Sequence, residues 1–193
     1  MDAACVKQSL VEQVLELAAH PELYCNNPGR DFTRKRKLTF CTLIHFILNM
    51  HGGSLTNEVI DYFCCEGSHV SSSAVVQMRS KLKADVFKDL LIGFNTRMED
   101  ISPARTENGL RILAVDGTEI QTPTDSDDAD SYYPGTNGQK PYNMIHLTAL
   151  YDLLQRTYLD VVVQKSKKQH ERKALIQMIE TSPVQKALLI ADR

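Results

Sequence analysis

Two periods of apolar residues run along this chain. Up to about residue 98 they recur at steps of three and four, the spacing of one helical face, and from about residue 109 they fall in short runs bounded by turn residues, as strands do. In the first region Val6, Leu10, Val14 and Leu17 predict a helix that Pro21 ends. A second helix is predicted from about Thr33 to Met50, with Phe40, Ile44, Ile47 and Leu48 on one side, and a third from about Leu55 to Phe63. A fourth opens after the N-cap candidates Ser71 to Ser73, burying Ala74, Val75, Met78 and Leu82 and setting Arg79 and Lys83 on another face.

In the second region "GLRILAV" is apolar on both faces apart from Arg111, which suits a central strand covered on both sides. "PYNMIHLTALYDLL" and "RTYLDVVVQ" predict a hairpin, and "KKQHERKALIQMIETS" predicts a helix burying Leu175, Ile176 and Ile179. "KALLIAD" is a last apolar strand. The order is strand, strand, strand, helix, strand, with a polar loop from Thr122 to Pro141 after the first. The fold class is therefore α+β or α/β, a helical region over 1–108 followed by a sheet region over 109–193.

Composition adds bounds. The 42% hydrophobic content over 193 residues is enough to bury a core. No run of about 18 apolar residues and no signal-peptide plan occurs, so the reading is a soluble, cytoplasmic chain without a membrane partner. Five cysteines without framework spacing point to reduced thiols. The formal net charge of −2 is less informative than its distribution: residues 30–37, 79–88 and 165–173 are basic, against the acidic loop "TDSDDADS". Local patches of this kind can hold phosphates or can simply be solvated faces.

Short helices, a polar turn and a capped helix with a basic face resemble a helix-turn-helix, whose second helix enters the major groove. Gln77, Arg79, Ser80, Lys81 and Lys83 are then the DNA-facing candidates, with Arg34, Lys35, Arg36 and Lys37 as a further basic stretch. A plain helical bundle shows the same pattern.

Asp116 and Asp192 each sit in an apolar strand, where burying a carboxylate costs several kcal/mol unless it is paired or bound to a cation. If the first and fourth strands are neighbours, the two side chains stand about 5 Å apart, and a divalent metal would relieve their repulsion. This element order with these acids is the opening of a ribonuclease H-like fold, in which two metals about 3.5–4 Å apart serve phosphodiester attack. The plainer alternative makes Asp116 the start of a turn, "DGT", and pairs Asp192 with Arg193.

"LRILAVDGTEIQTP", "YYPGTNGQKPYNMIHLTALYDLL" and "LLIADR", with the upstream "DFTRKRKLTFCTLIHFILNMHGGSLTNEVIDYF" and "SSSAVVQMRSKLK", resemble DDE transposases of bacterial insertion sequences, in the insertion sequence four family. The resemblance implies a helical DNA-binding region and a ribonuclease H-like core, incomplete here. In that core Asp116 and Asp192 are the first two catalytic acids and hold two ions of Mg²⁺ or Mn²⁺. It implies double-stranded DNA as partner, both terminal inverted repeats and target, with a homodimer for the complete enzyme and association with the nucleoid. Members of the family continue past the second Asp to a helix with a Tyr-Arg-Glu-Lys signature that supplies the third acid. Glu119, Glu171 and Glu180 all precede Asp192, so this chain is expected to bind DNA without efficient cleavage and to expose a sheet edge and apolar surface.

Lysines 165, 167, 168 and 173, leading into the helix, and Tyr132, Tyr133 and Lys140, in the polar loop, are further candidates for DNA contact. Three rival readings remain. Cys41 with His45 and Cys65 with His69 have a zinc-like spacing, though core packing accounts for the first pair. A DNA-binding regulator leaves the strand aspartates without work, and a nuclease of the same fold begins with the same chemistry.

Overall fold

The computed structural model describes residues 2–34, 36–63, 70–136 and 138–191, which divide into two compact units, Met1–Ile101 and Ser102–Arg193. Among these residues no helix is long and apolar enough to cross a membrane.

The first unit is helical: α1 (Ala3–Ala19), α2 (Phe40–Leu48), α3 (Leu55–Phe63), α4 (Ser72–Arg79) and α5 (Asp85–Ile101). The predicted second helix begins seven residues late. Thr39 caps it by accepting from the Thr42 amide at 3.1 Å, and the described residues of the basic run before it are not helical. Its buried side is Phe40, Leu43, Ile44 and Phe46, whereas Leu48 is exposed. Helix α3 has its predicted bounds, and Ser71 caps α4 through the Ala74 amide at 3.2 Å. Helix α4 stops at Arg79, so Lys81 and Lys83 lie beyond it and Arg79 and Lys83 do not share a helical face.

Helix α5, folded into the generic helical pattern of the sequence, packs on α1. Gly93 lets α1 approach, because a Cβ there would run into Gln13, and Arg97 donates to Gln13 and Glu16 at 2.7 Å each. Two apolar clusters form the core, one around Leu43, Phe46, Val59, Phe63 and Val75, the other around Val14, Phe40, Ile44, Val86 and Leu90.

The second unit is a mixed sheet with one helix: β1 (Arg111–Thr122), β2 (Tyr132–Tyr133), β3 (Tyr142–Asp152), β4 (Thr157–Lys165), α6 (Glu171–Thr181) and β5 (Ala187–Ala191). Strand β3 pairs antiparallel with β1 on one edge and with β4 and β2 on the other, and β5 runs parallel to β1. This arrangement is compatible with a ribonuclease H-like fold. The polar loop is not structureless: it contributes β2 and is pinned by the buried Asn143, which donates to the Asp125 carbonyl at 2.9 Å and to Ser131 Oγ at 2.8 Å.

Alternation along β1 separates two faces. Leu113, Leu150 and Val162 point to one face and pack with Ala174 and Met178 of α6. Ile176 and Ile179, expected inside, are exposed, since Ala174 and Met178 share the inward side of α6. On the other face Ile120, Tyr158, Val163, Leu188 and Ile190 are all exposed, so β1 is central in the sheet but not covered on both sides. The exposed apolar surface expected from the sequence is present.

Glu58 of α3 is only 7% exposed and accepts from the amides of Gly53 at 2.7 Å and His51 at 3.0 Å. These backbone donors hold its carboxyl below the ordinary carboxylate range. A depressed folded pKa stabilises the fold above the unfolded value and loses that contribution as pH falls through the folded one. Glu58→Gln should therefore lower the melting temperature at neutral pH, with the gap to wild type closing as the buffer is taken acidic. A thermal melt series against pH checks this.

Candidate functional site

Strand β1 carries Asp116 at its middle, paired in register with Ala149 of β3. Asp116, Gly117 and Thr118 all belong to the strand, so no turn begins at "DGT". Asp116 is exposed, however, and not the buried carboxylate that its apolar neighbours suggest. It projects to the face that α6 leaves open, among half-buried Ala114, Leu147 and Ala149, and its Oδ1 accepts from the Gly117 amide at 2.8 Å. The parallel register of β1 and β5 ends with Val115 opposite Ala191. Asp192 itself lies outside the described residues, as does Arg193. Among the described residues no three His, Cys, Asp or Glu side chains converge as metal ligands.

On the opposite face the site is braced by residues the sequence pattern did not single out. His146 is buried, and its Nε2 lies 3.2 Å from Glu171 Oε1 at the start of α6, a charge contact when the ring is protonated. Both groups cross over Gly117: a Cβ there would stand 2.5 Å from Glu171 Oε1 and 2.6 Å from His146 Nε2. The glycine following Asp116 thus lets β3 and α6 close on the β1 backbone. A polar His in the inward register of an apolar strand was the available signal.

The first unit holds a basic cleft. Phe32, at φ +57°, turns the chain in a left-handed conformation costly for a bulky residue, and its ring packs edge-on against Phe40 at 5.4 Å. The chain from Arg30 onward then faces α4. A hollow of about 190 Å³ is lined by Arg30, Asp31, Phe32, Arg34, Arg36, Met78 and Lys81. A neighbouring one of about 400 Å³ shares Arg36, Met78 and Lys81 and adds Lys37, Leu38, Ser71 and Gln77.

Five of the proposed DNA-contacting residues, Arg34, Arg36, Lys37, Gln77 and Lys81, therefore meet in one place. Buried Asp31 approaches Lys81 at 3.9 Å, and no ion-pair partner for Arg34, Arg36 or Lys37 occurs among the described residues. Lys35 lies outside the described residues, Arg79 is exposed away from the cleft lining, and Lys83 donates to the Leu23 carbonyl at 3.2 Å. Residues 64–69, between α3 and α4, also lie outside the described residues, and the helix-turn-helix expectation falls on them.

In the second unit Lys140 is exposed, but the lysines at the end of β4 and just beyond it are engaged. Lys165 pairs with Asp128, Lys168 with Asp130 at 2.5 Å, and Lys167 donates to the Ala129 carbonyl at 3.0 Å. Ser166 donates to the Tyr133 hydroxyl at 3.0 Å, and the Lys165 ammonium, with Ser131, holds Asp128 below its usual pKa. In the zinc-like pair Cys41 and His45 lie 3.7 Å apart in α2, where burial pushes the thiol up and the imidazole down. Cys65 and His69 lie outside the described residues.

Residues 107–193 match the family described as the transposase DDE domain. The match spans a little under half of the chain, takes in all of β1 to β5, and supports a DDE transposase. Neither a curated protein nor a solved structure matches the chain. The DDE match covers the strand that carries Asp116 and the brace around Gly117 alike.

Substituting Gly117 tests that brace. Glu171 is exposed and can swing aside, whereas the buried His146 ring cannot, so Gly117→Ala should destabilise the second unit by about 1–3 kcal/mol through overpacking. The urea midpoint of the variant against wild type measures it.

Proposed function

We propose that the chain is part of a DNA transposase of the insertion sequence four family that recognises element-end DNA through its basic cleft. Its sheet contributes Asp116 and Asp192 to phosphodiester cleavage and joining. The observation that carries this reading is an exposed carboxylate at the centre of the sheet in a segment matching the transposase DDE domain. The register supports the pairing of the two acids, since its last described pair, Val115 and Ala191, stops one residue short of each aspartate in the sequence.

Asp116 lies on an open face, reachable by a hydrated cation and by a phosphate, so its side chain fits the role of a metal ligand. Asp116 and Asp192 would hold Mg²⁺ or Mn²⁺, and such ions supply a polarised nucleophile and a stabilised leaving oxygen. Gly117, His146 and Glu171 keep the Asp116 backbone in place from the other face. Terminal inverted repeats and target DNA are the substrates of this reading, and a homodimer is its assembly.

Two outcomes test it. Wild-type chain should bind Mn²⁺, read by water-proton relaxation, and Asp116→Asn should abolish that binding while leaving duplex affinity unchanged. Replacing Arg34, Arg36 and Lys37 by Gln should do the reverse, flattening the plot of log affinity against log salt by about 0.9 for each phosphate no longer neutralised. Duplex binding untouched by the triple change would remove the cleft from the reading.

A further inference from the structure

The acidic loop and the lysines at and just beyond the end of β4 are chemically complementary, and the DNA-binding role does not explain why they are joined. Asp128 and Asp130 are two residues apart and take Lys165 and Lys168, while Lys167 is drawn to the Ala129 carbonyl and lies over the Tyr133 ring at 5.2 Å. Three of the four lysines that the sequence offers there to phosphates, Lys165, Lys167 and Lys168, are thus occupied by the chain's own acidic loop.

The loop does not need these ion pairs to keep its shape. Asn143, 2% exposed, accepts from the Asp125 amide at 2.8 Å and donates to the Asp125 carbonyl and Ser131 Oγ, and Ser131 is itself buried. Strand β2 adds its pairing with β3. The backbone scaffold therefore sets where the carboxylates stand. The pairs themselves are solvent-accessible, with the Lys165 and Lys168 side chains 50% and 68% exposed. Exposed ion pairs of this kind contribute little and break readily. A nucleic-acid backbone presents a dense array of anions whose binding is driven by released counterions, so it can compete where a single carboxylate cannot hold.

We propose that the acidic loop is a built-in stand-in for nucleic-acid phosphate: Asp128 and Asp130 mask Lys165 and Lys168, and a DNA phosphodiester reaches this cluster only by displacing them. This rests on the DNA-binding reading above and adds a regulation to it. The loop sets a threshold, discouraging weak encounters with DNA while allowing an engaged duplex to recruit three further lysines.

The test compares two substitutions in the same loop with the same change of charge. Asp130→Asn releases Lys168, whereas Asp127→Asn neutralises an exposed neighbour that has no lysine partner among the described residues. Fluorescence anisotropy with a labelled duplex should show D130N binding several-fold more tightly than D127N at low salt, with a salt slope steeper by about 0.9. Adding Lys168→Ala should erase that difference. Acylation of lysines without DNA, read by mass spectrometry, should show Lys168 more reactive in D130N than in D127N. Equal affinities for D130N and D127N, or a gain that persists without Lys168, overturns the masking. Absence of duplex binding in every variant, with Lys168 still released by D130N, overturns the DNA-binding reading and the phosphate occupant with it.

Discussion

A buried ion pair governs the second unit. Arg111 opens β1 at 7% exposure and donates through Nε to Asp152 Oδ2 at 2.8 Å, and Asp152, fully buried, ends β3. The second oxygen of Asp152 accepts from the Leu154 and Gln155 amides at 2.9 and 2.8 Å, closing the turn into β4. One carboxylate therefore ties together the start of β1, the end of β3 and the reversal to β4. Stripping either partner leaves a buried charge unmet, at a cost of about 3–5 kcal/mol, so the pair acts as a register lock. A slip of one residue would separate these charges and would also exchange the two faces of the sheet.

That exchange matters because the faces do different work. With Arg111 held inward, Leu113, Val115 and Gly117 follow on the side of α6, and Asp116 must emerge on the other. The arginine that interrupts the apolar run of β1 is thus the residue that decides where the candidate catalytic carboxylate points. Gly117 extends the logic by one position, admitting the His146 ring against the backbone that follows Asp116.

Much of this was legible from periodicity. The bounds of α3, the capped start of α4, the β3–β4 hairpin and the closing helix and strand all follow from local apolar spacing and from Ser, Pro and turn residues. What escaped is what depends on partners. The run around Arg34 to Lys37 has good helical propensity, but Thr39 starts the helix only after it, and the left-handed Phe32 turns the chain ahead of it. Which side of α6 is buried depends on the sheet beneath it, which Ile176 and Ile179 do not meet. The exposure of Asp116 escaped for the same reason: an apolar run looks identical whether one face or both are covered. The candidate lysines at and just beyond the end of β4 were visible as charge, whereas the pairing of Lys165 and Lys168 with Asp128 and Asp130 needed the folded loop.

The chain's slight negative charge is then no obstacle to a role on DNA, because its charges are arranged and not averaged. In the first unit a single buried acid, Asp31, approaches Lys81 while Arg34, Arg36 and Lys37 stay exposed, which suits a surface that captures phosphate at first encounter. In the second unit each of Lys165 and Lys168 is matched to its own carboxylate, which suits a surface used only once a duplex is already engaged. Open basic groups favour association at long range, and paired ones respond only at close approach, since an exposed pair is nearly neutral beyond a Debye length of roughly 8–10 Å. On the proposed DNA-binding reading, the two arrangements would divide capture from commitment within one modestly acidic chain.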